Sequence, residues 1–217
     1  MIGFRIVRKA AAVLAIIILS SVSYAQESKV DIGLRANVLL GDGVPANDIL
    51  GAGVIGRYRL NNGWFIGAGI DGYKYDFERP ASVLGISQDP NEDVIDAKAD
   101  STVLFGSFGR LYNETDRGFD WFWSLGLGFA SPSIEDVSGP TDTGGTFDLT
   151  FDVGNEIHLM GTIGTSYNFS ENWSTSFAAR VEHHFMDVTI TDQVTGETAK
   201  VDSQSPVGAY LSLNYKF

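Results

Sequence analysis

Cysteine is absent from the 217 residues. That absence excludes disulfides, thiolate metal sites and a lipid-anchor cysteine together, so stability must come from the fold alone. Basic residues are scarce, with 15 Lys plus Arg against 27 Asp plus Glu. This balance lacks the basic footprint of a nucleic-acid binder, and no nucleic-acid partner is expected. Apolar stripes at helical spacing are few, and no linker or low-complexity tract divides the chain. The one long apolar run, AAAVLAIIIL, ends at Leu19 and is too short to span a bilayer as a helix.

What surrounds that run gives it a different meaning. Arg5, Arg8 and Lys9 precede it, and SVSYAQ follows with small residues at Ser23 and Ala25. This is the pattern of a secretory signal peptide over residues 1–25, cleaved after Ala25. Residues 26–217, which are 192 residues (217 minus 25), would then form one domain. Three basic residues leave with the signal, moving the net charge from −12 to −15.

The rest of the chain alternates with period two, the signature of strands with one apolar face. Eight segments carry it: 29–40, 51–60, 64–77, 100–112, 119–130, 150–169, 173–190 and 205–217. The clearest sets Phe119, Trp121, Trp123, Leu125, Leu127 and Phe129 against Asp120, Ser124, Gly126 and Gly128. In 150–169 the apolar set begins at Phe151 and Val153, with Asp152 and Glu156 opposite. Segment 100–112 is less clear, because Arg110 shares a face with Leu104 and Phe108. Connections alternate between short (NNG, NETDRG, SEN) and long, rich in Gly, Asp, Pro and Thr.

Alternation does not say which face is inside. The polar face is rich in Gly33, Gly67, Gly69, Gly126 and Gly128, which suits the cramped interior of an eight-stranded barrel better than a wet surface. Aromatics gather at the ends of the apolar face: Tyr58, Trp64, Trp121, Tyr167, Phe169, Trp173, Tyr215 and Phe217 by the short turns, and Tyr75, Phe129, Phe151 and Phe185 by the long loops. The 11 residues from Trp64 to Tyr75 would rise roughly 28 Å at ~3.3 Å per residue and ~40° tilt, close to the ~25 Å apolar band of outer-membrane barrels. The expected fold is all-β: an eight-stranded antiparallel up-and-down transmembrane barrel, apolar face outward.

On these features the chain resembles the small outer-membrane barrels of the OmpA/OmpX type. The carriers are the signal peptide, the alternating segments, the short–long connections and the terminal YLSLNYKF. The resemblance implies export through the periplasm to the cell outer membrane, with lipid and lipopolysaccharide around a monomeric barrel. It also makes Leu213, Tyr215 and Phe217 the signal read by the barrel-insertion machinery. A structural or surface-interaction role follows, not an enzymatic one. A narrow porin-like channel and a lipid A-modifying barrel enzyme are the alternatives.

The inward face is expected to carry Arg35, Arg57, Arg59, Arg110, Arg180 and Lys216 against Asp31, Asp71, Asp120, Asp152, Glu156 and Glu182, neutralised as a plug of ion pairs. If SEN closes a hairpin with Phe169 opposite Trp173, His158 falls opposite His184, with Glu156 and Glu182 on the diagonals. Such a set could hold a divalent metal or act as an acid–base pair; we read it as part of the lumen network, with no cofactor and no resident metal expected. His183 should face lipid without a partner serine. Asp89, Asn91, Asp93 and Asp100 match positions 1, 3, 5 and 12 of a calcium loop. Val94, where that template needs glycine, makes them weak candidates.

Overall fold

The computed structural model describes residues 29–40, 49–80, 94–113, 117–141 and 144–217. The signal-peptide reading over 1–25 lies outside them, as do Asp89, Asn91 and Asp93. Among the described residues eleven strands run in chain order: β1 (Val30–Leu40), β2 (Ile49–Arg59), β3 (Trp64–Pro80), β4 (Val94–Tyr112), β5 (Gly118–Ile134), β6 (Val137–Pro140), β7 (Thr146–Val153), β8 (Glu156–Asn168), β9 (Trp173–Asp192), β10 (Thr198–Gln204) and β11 (Val207–Lys216).

Eight of them, β1 to β5 with β8, β9 and β11, are the staves of a closed antiparallel barrel. Each pairs with its neighbour in sequence order, and β11 closes on β1 from Asp31 opposite Lys216 to Leu40 opposite Val207. Closure removes both sheet edges and leaves the backbone hydrogen-bonded around the ring. The NNG turn fits its short link because Asn62 and Gly63 both take positive φ, 63° and 77°, which these two residue types tolerate.

The remaining strands extend the barrel on its long-loop side. β7 continues the line of β8 and pairs with the upper end of β9, β6 pairs with β7, and β10 runs above β11 on the other edge of β9. The connections that the alternation leaves as long loops are therefore partly strand; β4 alone runs 19 residues.

These joints change which face points inward. From Val153 to Ile157 is four residues, yet their β9 partners Val188 and Phe185 are three apart. One extra residue near Gly154 and Asn155 inverts the alternation, as a bulge must. Phe151 and Val153 consequently turn in and Asp152 turns out, exposed. On the other side of β9, pairing also slips between Val201 and Ser203. In the barrel proper the exposed face is apolar, with Leu34, Leu125, Ile163, Phe177 and Leu211 all more than half exposed. Above the joints the interior is apolar instead, built from Leu149, Met186, Val188, Ile190 and Val201 with Ala97, Ala99 and Ile134. Lys98, Asp148, Asp152, Asp187 and Lys200 take its surface.

Candidate functional site in the barrel lumen

The inward side chains form three tiers. Nearest the short turns, Asp31 pairs with Arg59 at 3.2 Å, and Asn168 donates to Asp120 at 2.6 Å while accepting from Lys216 at 2.6 Å. Above them Arg57 lies over the Phe65 and Phe122 rings, at 5.7 and 5.2 Å from their centroids. One Arg57 Nη has no hydrogen bond among the described residues, so the rings take part of the role that a carboxylate was expected to fill.

The central tier ties four strands together. Arg35 of β1 grips Asp71 of β3 with two nitrogens, Nε at 2.7 Å, and also covers the Phe105 ring. Tyr73 donates to Asp71 at 3.0 Å, and Arg180 of β9 reaches it at 3.4 Å. Arg180 turns its Nε to Glu182 at 2.5 Å. Glycine opposite makes room: a β-carbon at Gly53 would collide with the Asp71 carboxylate.

Glu182 then leads to the histidines. Its Oε2 stands 2.8 Å from His184 Nε2 and 3.4 Å from His158 Nδ1. His158 Nε2 is 3.1 Å from Glu156. The two imidazoles stack, centroids 3.7 Å apart and planes within 13°. His158 does sit opposite His184, as the SEN hairpin implied. All four residues are buried. The ligand atoms of Glu156, His158 and His184 lie within 4.8 Å of one another.

Several expected positions are otherwise. Arg110 is on the outward face, where its guanidinium covers Trp64 and Tyr112 at 5.4 and 5.0 Å; the parity it shares with Leu104 and Phe108 dictates this. Asp152 belongs to the surface of the extension. Tyr75 packs into the apolar clusters, because an odd separation from Trp64 puts the two on opposite faces. Phe129 and Phe185 remain outward, and the same-face pair Trp173 and Phe185 spans roughly 30 Å at ~3.3 Å rise and ~40° tilt. His183 does have a serine: its Nδ1 is 2.8 Å from Ser205 Oγ. Ser205 occupies the break between β10 and β11, which alternation alone does not bring beside β9. Asp100 is exposed on β4 opposite Lys74, in a strand rather than a loop. Leu213, Tyr215 and Phe217 lie outward on or beside β11, Tyr215 meeting Trp173 at 4.9 Å.

A closed barrel with a polar, ion-paired bore and an apolar, aromatic-edged exterior defines a transmembrane β-barrel of the outer-membrane type. No family model and no curated protein matches the sequence. Among solved structures the chain is similar to the outer membrane protein OprG from Pseudomonas aeruginosa, with a TM-score of 0.60 and 14% identity over 87% of this chain and 94% of that one. Neisserial surface protein A (NspA) aligns at 0.49 and 12% over 87% and 96%. A major outer membrane protein from Thermus thermophilus aligns at 0.49 and 11% over 87% and 99%. The fold is that of the small eight-stranded outer-membrane barrels.

Proposed function

We propose that this protein is a closed outer-membrane barrel with a structural or surface-interaction role, neither channel nor enzyme. Lipid and lipopolysaccharide surround it, and the outward Leu213, Tyr215 and Phe217 serve recognition by the insertion machinery. The carrying observation is the chain Arg35–Asp71–Arg180–Glu182–His158–Glu156, which crosses the bore between β1, β3, β9 and β8. Ion pairs in such a space fill it with side chains rather than a water column. Planar-bilayer recording tests this: the unmodified protein should show no steady steps, and Arg180→Ala should introduce them. Large steps from the unmodified protein would make it a channel.

One contact favours a lipid-modifying reading, the His183–Ser205 pair on the outer wall. Among the described residues no carboxylate hydrogen-bonds the other ring nitrogen of His183, so the orienting member of a triad is missing. We expect lipid A mass spectra to be the same with the protein, without it, and with Ser205→Ala; a chain lost or gained through Ser205 would establish the enzyme.

A further inference from the structure

We propose that Glu156, His158 and His184 form a binding site for one zinc-class divalent cation inside the barrel, with Glu182 as its outer support. The proposal does not depend on whether the bore conducts. Two imidazoles and one carboxylate are the donor set of a three-ligand zinc site with a fourth position left open. Nitrogen donors favour zinc-class ions over calcium or magnesium, which take oxygen. The donor atoms already lie within 4.8 Å of one another. A tetrahedral ion with bonds of about 2.0–2.1 Å needs them about 3.3 Å apart, a contraction within reach of side-chain rotation.

Four independent features of the site point the same way. Glu156 is 3% exposed, yet among the described residues its Oε1 has no hydrogen-bond partner. A buried carboxylate oxygen left in that state is costly unless something binds it. Second, the network's permanent charges do not balance: among the described residues, the three carboxylates of Asp71, Glu156 and Glu182 meet the two guanidiniums of Arg35 and Arg180, and otherwise the two imidazoles and the Tyr73 hydroxyl. One negative charge in a low-dielectric space lacks a fixed cation. Third, Glu182 touches a ring nitrogen of both histidines and is itself held by Arg180. Metal-bound histidines usually have such a carboxylate, which sets the ring and strengthens the donor. Fourth, a small cavity opens beside the three donors, walled by Leu39, Tyr73, Ser101 and Gln204, with room for a water-sized occupant.

The register makes the arrangement rigid. His158 and His184 are directly opposed on β8 and β9, and Glu156 and Glu182 lie two residues from them on the same inward faces. Ligands on paired strands are held more firmly than ligands on loops.

The test uses the tag-free barrel, refolded in detergent with Zn²⁺, with Mg²⁺ or with chelator, then desalted. Metal per barrel is counted by mass spectrometry, and the thermal loss of the folded gel band is followed. Zinc should be retained at a single ion per barrel and raise that transition, while magnesium does neither. His158→Gln should abolish retention, Glu182→Gln should weaken affinity roughly 10- to 100-fold, and His183→Gln should retain zinc like the parent. If His158→Gln fails to fold, the parent's retained ratio still decides. Retention no higher for zinc than for magnesium, or unchanged in His158→Gln, would overturn the proposal.

Discussion

The barrel and its extension are built from continuous strands, yet they are inside-out relative to one another. Along β9, the inward positions Ser174, Ser176, Arg180, Glu182 and His184 are polar, while Met186, Val188 and Ile190 are apolar. The outward positions reverse as well, from Phe177, Val181 and Phe185 to Asp187. The solvent changes along the strand, and the sequence follows it. Lipid rewards apolar side chains outside and leaves the bore to paired charges; water rewards an apolar interior. The change coincides with the stacked histidines, which close the polar bore just beneath the apolar cluster.

Stability measurements can break this comparison. The largest effect should come from Asp71→Ala, which leaves Arg35 and part of Arg180 buried without a counter-charge. A loss of about 3–5 kcal/mol is expected in urea unfolding from detergent. A loss below about 1 kcal/mol would mean that water reaches the central tier and screens it.

Leu149→Ala tests the other core. Leu149 is fully buried, so truncation should cost about 2–5 kcal/mol, felt by the extension. Hydrogen exchange should quicken in β6, β7 and β10 while the barrel staves keep their protection. Equal quickening throughout would show that the two regions open as a single cooperative unit.

The surfaces should differ in the same sense. Ile163 is 63% exposed on the barrel wall, and Ile163→Arg should destabilise by about 2–4 kcal/mol in lipid. Thr189→Arg, on the extension, should stay within about 0.5 kcal/mol. Similar costs at both sites would contradict a boundary of solvent between them.

The smallest effect concerns Asp192, at the β9–β10 turn. Burial disfavours its charge, but the Asp148 backbone N–H, the Thr195 hydroxyl and the N–H groups of Val194 and Thr195 outweigh this and lower its pKa. A carboxyl with a lowered folded pKa adds stability above its ordinary pKa, and that stability is lost as pH falls through the folded value. Amide protection in this turn, measured against intrinsic exchange, should therefore fall only at acid pH, below the ordinary carboxyl range, and Asp192→Asn should remove the dependence. A loss of protection near neutral pH would point to another group.

Much of this was legible in the chain because alternation is a local property. Within an unbroken strand, parity alone assigns every side chain to lipid or lumen, which is why the eight staves and the lumen residues from Arg35 to Lys216 could be read directly. Even Arg110 was legible, since it shares parity with Leu104 and Phe108. The His158–His184 opposition was readable too, because a turn as short as SEN leaves little freedom of register. Asp152 and Phe151 were not. One extra residue near Gly154 inverts their faces, and nothing in composition marks where a strand takes up an extra residue. Ser205 beside His183 and Asp71 between two arginines depend on contacts between strands far apart in sequence. The sequence alone determined which residues alternate and so what kind of surface each strand offers. Only the tertiary structure decided where that alternation inverts and which charges meet, because both depend on how neighbouring strands register around the closed ring.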